Sequence, residues 1–399
     1  MSDPVTTLSQ QNLPEQHKVR DVSTILSKLE PDLYPLDTIL RRMKKGPAAT
    51  QTKIEWARTV SLPRTDTIAA DSAAGSAGAA KVITVTTPNM WRIDDIIITP
   101  GSVTNPPLLV TAVNYTNGQV TVYALDQKST VNVTGYGTVP ALTTGDVIAW
   151  LGNSKAEGFT QSYSRAQFPT YDYNYCELSD TIVDVTLTRK NTKNYTEDDW
   201  KRARREQLKE FRRSLEYKRW FGIRSEVKDP TDPTKDRWTM HGITRFLSKK
   251  FNYDKDATGT KITEAMLIDW LASAFGGNNG SPSRFLFADT WLMAELAKCG
   301  LTNRRNLKNE VVLGIKVGMV QTDFGTLFLK HHRGFNEMGK EHYGVIVDMA
   351  QVYNRELRPM ERKELKLQDI GTDKDAEQYK EQASQEVRNP ECHAVIEGD

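Results

Sequence analysis

Cysteine is scarce in this 399-residue chain: Cys176, Cys299 and Cys392 are the only three, widely spaced and odd in number. They fit neither a disulfide framework nor a metal site that needs several close thiolates, and a reducing compartment is the expectation. A surplus of one charge is lacking as well. The 53 Lys and Arg stand against 51 Asp and Glu, which excludes the global positive field of a dedicated DNA-coating protein. The opening MSDPVTTLSQQNLPEQHKVR lacks the apolar core of a signal peptide, and no run approaches bilayer-spanning length. Synthesis and folding in the cytoplasm are therefore expected.

Catalytic patterns are missing too. There is no Gly-x-Ser-x-Gly elbow and no Gly-rich loop ending in Lys-Ser or Lys-Thr. Gly276, Gly277 and Gly280 follow a predicted helix instead of opening one, so they read as a hinge or stop, not a phosphate cradle. Asp323-Phe324-Gly325 shares letters with the kinase metal-binding element but has no phosphate loop or paired lysine, and reads as a turn between strands. His331 and His332 are adjacent, so on a strand they face opposite ways and cannot chelate one ion. No enzyme, catalytic residue, metal or cofactor is expected.

What is present is structural. The hydrophobic share is 38% and the charged share 26%, with 25 Gly and 17 Pro, as in a folded chain of two or three domains with many turns. Residues 1–30 are polar and aperiodic and read as an arm. Leu36, Ile39, Leu40 and Met43 follow at helical spacing, stopped by Gly46 and Pro47. In TKIEWARTVSL, Ile54, Trp56 and Val60 share one side of an extended strand. Residues 66–80 carry only small side chains and read as a mobile loop.

From 81 to 152 the pattern changes to KVITVTT, IDDIIIT, LLVTAV, QVTVYAL and DVIAWLG. Asn117-Gly118 at the centre of 108–125 is the clearest hairpin signal in the chain. These short strands predict a small antiparallel barrel or sandwich. Tyr171, Tyr173 and Tyr175 alternate onto one strand face; a protein interface is preferred over base stacking for them. SDTIVDVTLT is an alternating ribbon over 180–188.

The strongest helix signal begins at Thr196, an N-cap type, with Glu197, Asp198 and Asp199 where the helix dipole favours anions. The helix is predicted over 197–221 with its stop at Gly222. Trp200, Ala203, Gln207, Leu208, Phe211 and Leu215 mark a narrow face. Lys201, Arg202, Arg204, Arg205, Lys209, Arg212, Arg213, Lys218 and Arg219 occupy the others, interleaved with Glu206, Glu210 and Glu216. Three uses stay open for these cations: sequence-specific DNA reading, a non-specific DNA-facing surface, or, favoured, salt bridges to neighbouring domains or subunits. Further on come TEAMLIDWLASAF, capped by Thr263 and ended at Gly276-Gly277, the buried strand SRFLFAD, the helix TWLMAELAKCG, two strands in GIKVGMVQTDFGTLFLKHH and a core strand in YGVIVDMAQVYNRELR. The stretch 369–399 is polar and reads as a loose tail.

The order of these pieces resembles the tailed-bacteriophage major capsid proteins of the Hong Kong 97-type fold. The carriers are Tyr-Pro-Leu-Asp-Thr-Ile-Leu before a Lys-Ile-Glu-Trp strand, a β-rich insert ending in Gly-Asp-Val-Ile, a ribbon leading into the basic helix, and a terminal α/β module closing on YGVIVDMAQVYNRELRPM. The resemblance implies an α+β fold with a long spine helix. It implies an N-terminal arm over 1–45 and an extended loop over 46–165 carrying the insert at 81–152. A peripheral domain would span 166–262, an axial domain 263–355, and 356–368 would return to the peripheral domain.

The function implied is self-assembly as pentamers and hexamers into an icosahedral or prolate shell around double-stranded DNA, hence a place in the virion. Partners would be a separate scaffolding protein, a portal, in some cases a decoration protein, and packaged DNA held non-specifically, with no membrane. The runner-up is a tail or baseplate protein or an adhesion module. Trp56, Phe168 and Tyr173 are the candidate intersubunit anchors.

Overall fold

The computed structural model describes residues 34–43, 46–58, 63–126, 134–159, 168–192, 199–259, 261–276, 280–299, 308–312, 315–322, 324–365 and 371–399. Most of the expected arm, together with Val60, Thr196, Glu197, Asp198, Gly277 and Asp323, lies outside these residues. The chain divides into one compact unit of residues 1–58 and 171–399 and a second of residues 59–170.

The first unit is built on a seven-stranded mixed sheet. Its strands are β12 (Lys250–Tyr253), β13 (Ser283–Ala288), β14 (Lys308–Val312), β15 (Ile315–Thr322), β16 (Gly325–His331), β17 (Tyr343–Val347) and β20 (Ala394–Gly398), in the order β12-β20-β17-β13-β16-β15-β14. The apolar runs FLFA and YGVIV form central strands because both faces are covered. Leu286, Ala288, Ile346, Ala394 and Ile396 pack against helices α5 (Glu264–Phe275) and α6 (Thr290–Lys298) through Leu267, Trp270, Leu271, Leu292 and Leu296. Phe285, Phe287, Val345, Val347 and Val395 meet Leu36, Ile39 and Leu40 of α1 (Pro35–Arg42), Trp220 of α3 (Asp199–Phe221) and Ile243 of α4 (Ile243–Phe246). Strand alternation thus feeds two separate cores from one sheet. Thr263 caps α5, its hydroxyl accepting from Met266 N at 3.3 Å, and Asp289 caps α6 by accepting from Trp291 N and Leu292 N.

Beside it stands a three-stranded antiparallel sheet, β18 (Val352–Leu365), β19 (Lys374–Val387) and β9 (Glu177–Thr186), in that order. Val183 and Tyr379 on one face pack against Phe211 and Leu215 of α3. Two smaller ribbons complete the unit: β1 (Lys53–Arg58) with β8 (Thr170–Tyr175), and the hairpin β10 (Ser225–Lys228) with β11 (Asp236–Thr239). Short helices α2 (Leu187–Asn191) and α7 (Gly334–Glu337) lie in connections. α3 ends at Gly222 because its backbone runs against Gly242: a Cβ there would sit 2.5 Å from Met240 O.

The loose tail expected over 369–399 is corrected: described from residue 371, it supplies β19, the middle of one sheet, and β20, an inner strand of the other. KDAEQYKEQASQEV looks like a solvated segment, yet Glu377, Glu381 and Glu386 are all at most 2% exposed. Each is satisfied by arginine from a neighbouring element, so burial follows ion pairing and not hydrophobicity.

The second unit is a closed barrel of β2 (Thr65–Ala70), β3 (Lys81–Val85), β4 (Asp95–Ile98), β5 (Leu108–Asn114), β6 (Gln119–Ala124) and β7 (Val147–Asn153), in the circular order β2-β3-β6-β5-β4-β7. Its interior holds Ile68, Ile83, Trp91, Ile97, Val110, Val122 and Ile148. The β5–β6 turn places Gly118 at φ +66°, as a tight hairpin requires. The loop expected over 66–80 is also corrected. Its first third belongs to the barrel strand β2, and Gly75 N and Gly78 N donate to Val139 O and Gly137 O. Asp66, 6% exposed, fixes that strand by accepting from Thr87 N and from Trp91 Nε1 at 2.9 Å. A lone buried Ile68 among small residues was too faint a pattern to read as a strand.

Candidate functional site

The densest chemistry in the described residues surrounds α3, 23 residues long and so ~34 Å at 1.5 Å per residue. Its cations face acids of its own chain. Arg219, 2% exposed, sets Nη1 2.7 Å from Asp37 Oδ1 and Nη2 3.4 Å from Glu381 Oε1. Arg212 Nε donates to Asp37 Oδ2 at 2.9 Å. Arg41 bridges the same two acids, 2.9 Å from Asp37 and 2.5 Å from Glu381. Burial alone would raise the Asp37 pKa; the guanidinium groups of Arg219, Arg41 and Arg212 outweigh it and hold the carboxyl below its ordinary value.

Along the helix, Arg204 Nε reaches Glu377 at 3.0 Å, shared with Arg362 at 2.7 Å. Lys218 Nζ lies 2.6 Å from Glu177. Arg213 pairs with Glu210 and Glu337, and Arg202 with Glu206 at 3.9 Å. Lys201 and Arg205 are exposed and Lys209 is half-buried. Salt bridging to other elements therefore accounts for Arg204, Arg212, Arg213, Lys218 and Arg219.

Glu216 is fully buried on the same face of α3 as Arg212 and Arg219. Its carboxylate accepts from Leu36 N at 3.0 Å, Asp37 N at 2.6 Å and Trp220 Nε1 at 3.0 Å, and lies 2.8 Å from His332 Nε2. It thereby caps the first turn of α1 from another helix, a position where a negative charge also meets the helix dipole. Sequence reading counted Glu216 among the interleaved acids and missed Asp37, Glu377 and Glu381. Little local marks these acids when Arg219 lies 162 positions from Glu381 and Leu36 lies 180 from Glu216.

The expected anchors separate. Trp56 is 5% exposed and packs in its own unit with Ala49, Ile54 and Cys176, its ring 5.9 Å from Phe246. That corrects its assignment: a side chain spent on the subunit's own core cannot reach a neighbour. Phe168 is 96% exposed. Tyr173 is half-buried between Lys53 Nζ at 4.6 Å and Arg224 Cζ at 4.0 Å, with Tyr175 edge-on at 5.7 Å, while Tyr171 of the same face is 67% exposed.

No group of three or more His, Cys, Asp or Glu among the described residues could hold a metal ion. His331 Nε2 meets Thr290 Oγ1 at 2.9 Å while His332 turns inward to Glu216. Burial pushes the Cys176 thiol up to about 11, away from nucleophilic use. No described helix is long and apolar enough to cross a membrane.

The first unit is a long helix bonded through arginines to a polar sheet with a double-faced sheet beside it, and the second is a closed barrel. The model of the SU10 major capsid protein family matches residues 4–398. The chain belongs to that family, the major capsid proteins of tailed phages with the Hong Kong 97-type fold. It is a virion protein that assembles with copies of itself, in the host cytoplasm, into the icosahedral or prolate shell enclosing the phage DNA. The tail or baseplate alternative falls with that match.

Among solved structures, the chain is similar to that of Gordonia phage Cozz (11% identity, 100% of this chain and 98% of that chain, TM-score 0.49). It is similar to that of Mycobacterium phage Bobi (8% identity, 98% and 99%, TM-score 0.48). A third likeness is to the holo-SrpI encapsulin complex from Synechococcus elongatus PCC 7942 (10% identity, 58% and 76%, TM-score 0.39). No curated protein matches the chain. The family assignment stands on the match over residues 4–398.

Proposed function

We propose that, within the shell, the two units divide the work. The α3 helix with the β18–β19–β9 sheet is the peripheral domain, the seven-stranded sheet with α5 and α6 is the axial domain that gathers at the symmetry axes, and the barrel unit rides on the extended loop. The observation that carries this reading is the ion network of α3. Asp37, Glu377 and Glu381 join α1, β19 and the helix into one stiff plate, the property a subunit needs to bear load across a thin wall. In this reading Phe168 and the Tyr171–Tyr173 face meet neighbouring copies, and Lys201 and Arg205 meet packaged DNA non-specifically. A separate scaffolding protein, a portal and in some cases a decoration protein are the further partners. Replacing residues 59–170 by a short flexible linker tests the loop assignment. The expected outcome is a soluble subunit with normal helical circular dichroism that forms no shells; shells in undiminished yield would refute it.

A further inference from the structure

The sequence holds two Asn-Gly pairs, Asn117-Gly118 and Asn279-Gly280. Asparagine before glycine is the labile arrangement of an already thermolabile residue, because glycine has no Cβ to keep its main-chain nitrogen from the preceding carboxamide carbon. The fold sets the two pairs in opposite surroundings. Gly280 is wedged into the first unit: a Cβ there would lie 2.1 Å from Arg284 Nη2 and 3.1 Å from Cys392 Sγ, and those residues are 0% and 2% exposed. Its backbone cannot turn onto a neighbouring side chain without displacing close-packed interior groups.

Asn117 stands at the exposed tip of the hairpin between β5 and β6, with Thr116 exposed beside it and Tyr115 49% exposed. Its main-chain N donates to Asn114 Oδ1 at 3.2 Å, while its carboxamide bonds to no described residue. The Gly118 N–H donates to no described acceptor either; only Gly118 O is engaged, accepting from Val85 N at 2.8 Å. Glycine is required there, since its φ is +66° and a Cβ would meet Val85 O at 3.2 Å. Attacking nitrogen and carboxamide carbon are therefore adjacent and unbonded at a solvent-exposed loop tip, where local opening costs least.

We propose that Asn117 is a site of spontaneous deamidation. Gly118 N gives up its proton to solvent and attacks Asn117 Cγ; the new C–N bond closes a cyclic imide as the carboxamide nitrogen takes up a proton and leaves as ammonia. Water then adds to either imide carbonyl, leaving aspartate or isoaspartate. Water is the only co-reactant, and nothing is oxidised or reduced. Both products put a carboxylate at the barrel tip where the sequence encodes an amide. Isoaspartate also routes the main chain through the side-chain methylene, which lengthens the turn and draws Gly118 O away from Val85 N. Val85 is 3% exposed, so that N–H is left unpaired in the barrel and the end of β3 loosens.

The test ages the purified full-length chain at mildly alkaline pH and maps its peptides by mass spectrometry, with isoaspartyl methyltransferase labelling to separate isoaspartate from aspartate. Position 117 should convert progressively, with ammonia released and isoaspartate formed, and position 279 should stay amidated over the same period. An intact Asn117, or conversion at 279 as fast as at 117, would overturn the proposal. Asn117→Gln sets the carboxamide a methylene further from Gly118 N, and should resist conversion and keep its melting curve on ageing. Aged wild type should lose roughly 4–8 °C from its barrel transition, the shift that one lost buried hydrogen bond gives a domain near this size. An unchanged transition in converted wild type, or an equal fall in aged Asn117→Gln, would overturn the loosening of β3.

Discussion

Removing the Glu216 carboxylate should loosen α1 from the plate. In Glu216→Ala, Leu36 N, Asp37 N and Trp220 Nε1 lose the acceptor they share, and His332 loses its ionic neighbour. Glu216 and His332 are fully buried, so water cannot substitute without opening the core. Each orphaned buried donor costs ~1–3 kcal/mol. These penalties overlap because one carboxylate serves all four groups, and ~3–5 kcal/mol is the expected total. Glu216→Gln keeps the volume and one carbonyl oxygen, and should lose roughly half as much. Urea unfolding of unassembled subunits, with hydrogen exchange at the Leu36 and Asp37 amides, measures both. A loss under ~1 kcal/mol for the alanine variant, with those two amides still protected, would refute the capping role.

Burial pushes the His393 pKa down to about 4, so the folded state favours the neutral ring. A base with a depressed folded pKa contributes fully above its unfolded value near 6.5 and loses that share as pH falls toward 4. Wild type should lose up to ~3 kcal/mol across that window relative to His393→Asn, measured by denaturant midpoints; parallel pH profiles would contradict it. Ile68, 1% exposed, should cost ~2–5 kcal/mol as Ile68→Ala, read from the melting of the barrel unit, whereas a neutral result would restore a loop at 66–80. Trp56→Ala should lose ~3–5 kcal/mol of subunit stability. Phe168→Ala should leave the melting curve unchanged and lower the shell yield; if these two swap, the core and contact assignments swap with them.

How legible each part was depended on where its partners lie. α3 announced itself through spacing and charge, and β13 and β17 through apolar runs, because the information is local. The β5–β6 hairpin needed only Asn117-Gly118. β19 and β2 were not legible. Glu377 and Glu381 become interior residues only because Arg204, Arg41 and Arg219 reach them from far along the chain. β2 closes the barrel by pairing with β7 from the far end of the segment, Asp66 opposite Ile148. Trp56 was misread because an aromatic in a polar stretch looks exposed until Phe246 and Cys176 are seen against it. The same long-range pairing hid Glu216, whose role exists only once α1 has docked.

The central claim, a subunit that closes a shell from copies of itself, is tested most directly by negative-stain electron microscopy of the recombinant protein, with and without its neighbouring gene products. Closed particles of uniform size, icosahedral or prolate, are predicted. Only discrete small oligomers, with no closed particle under either condition, would contradict it.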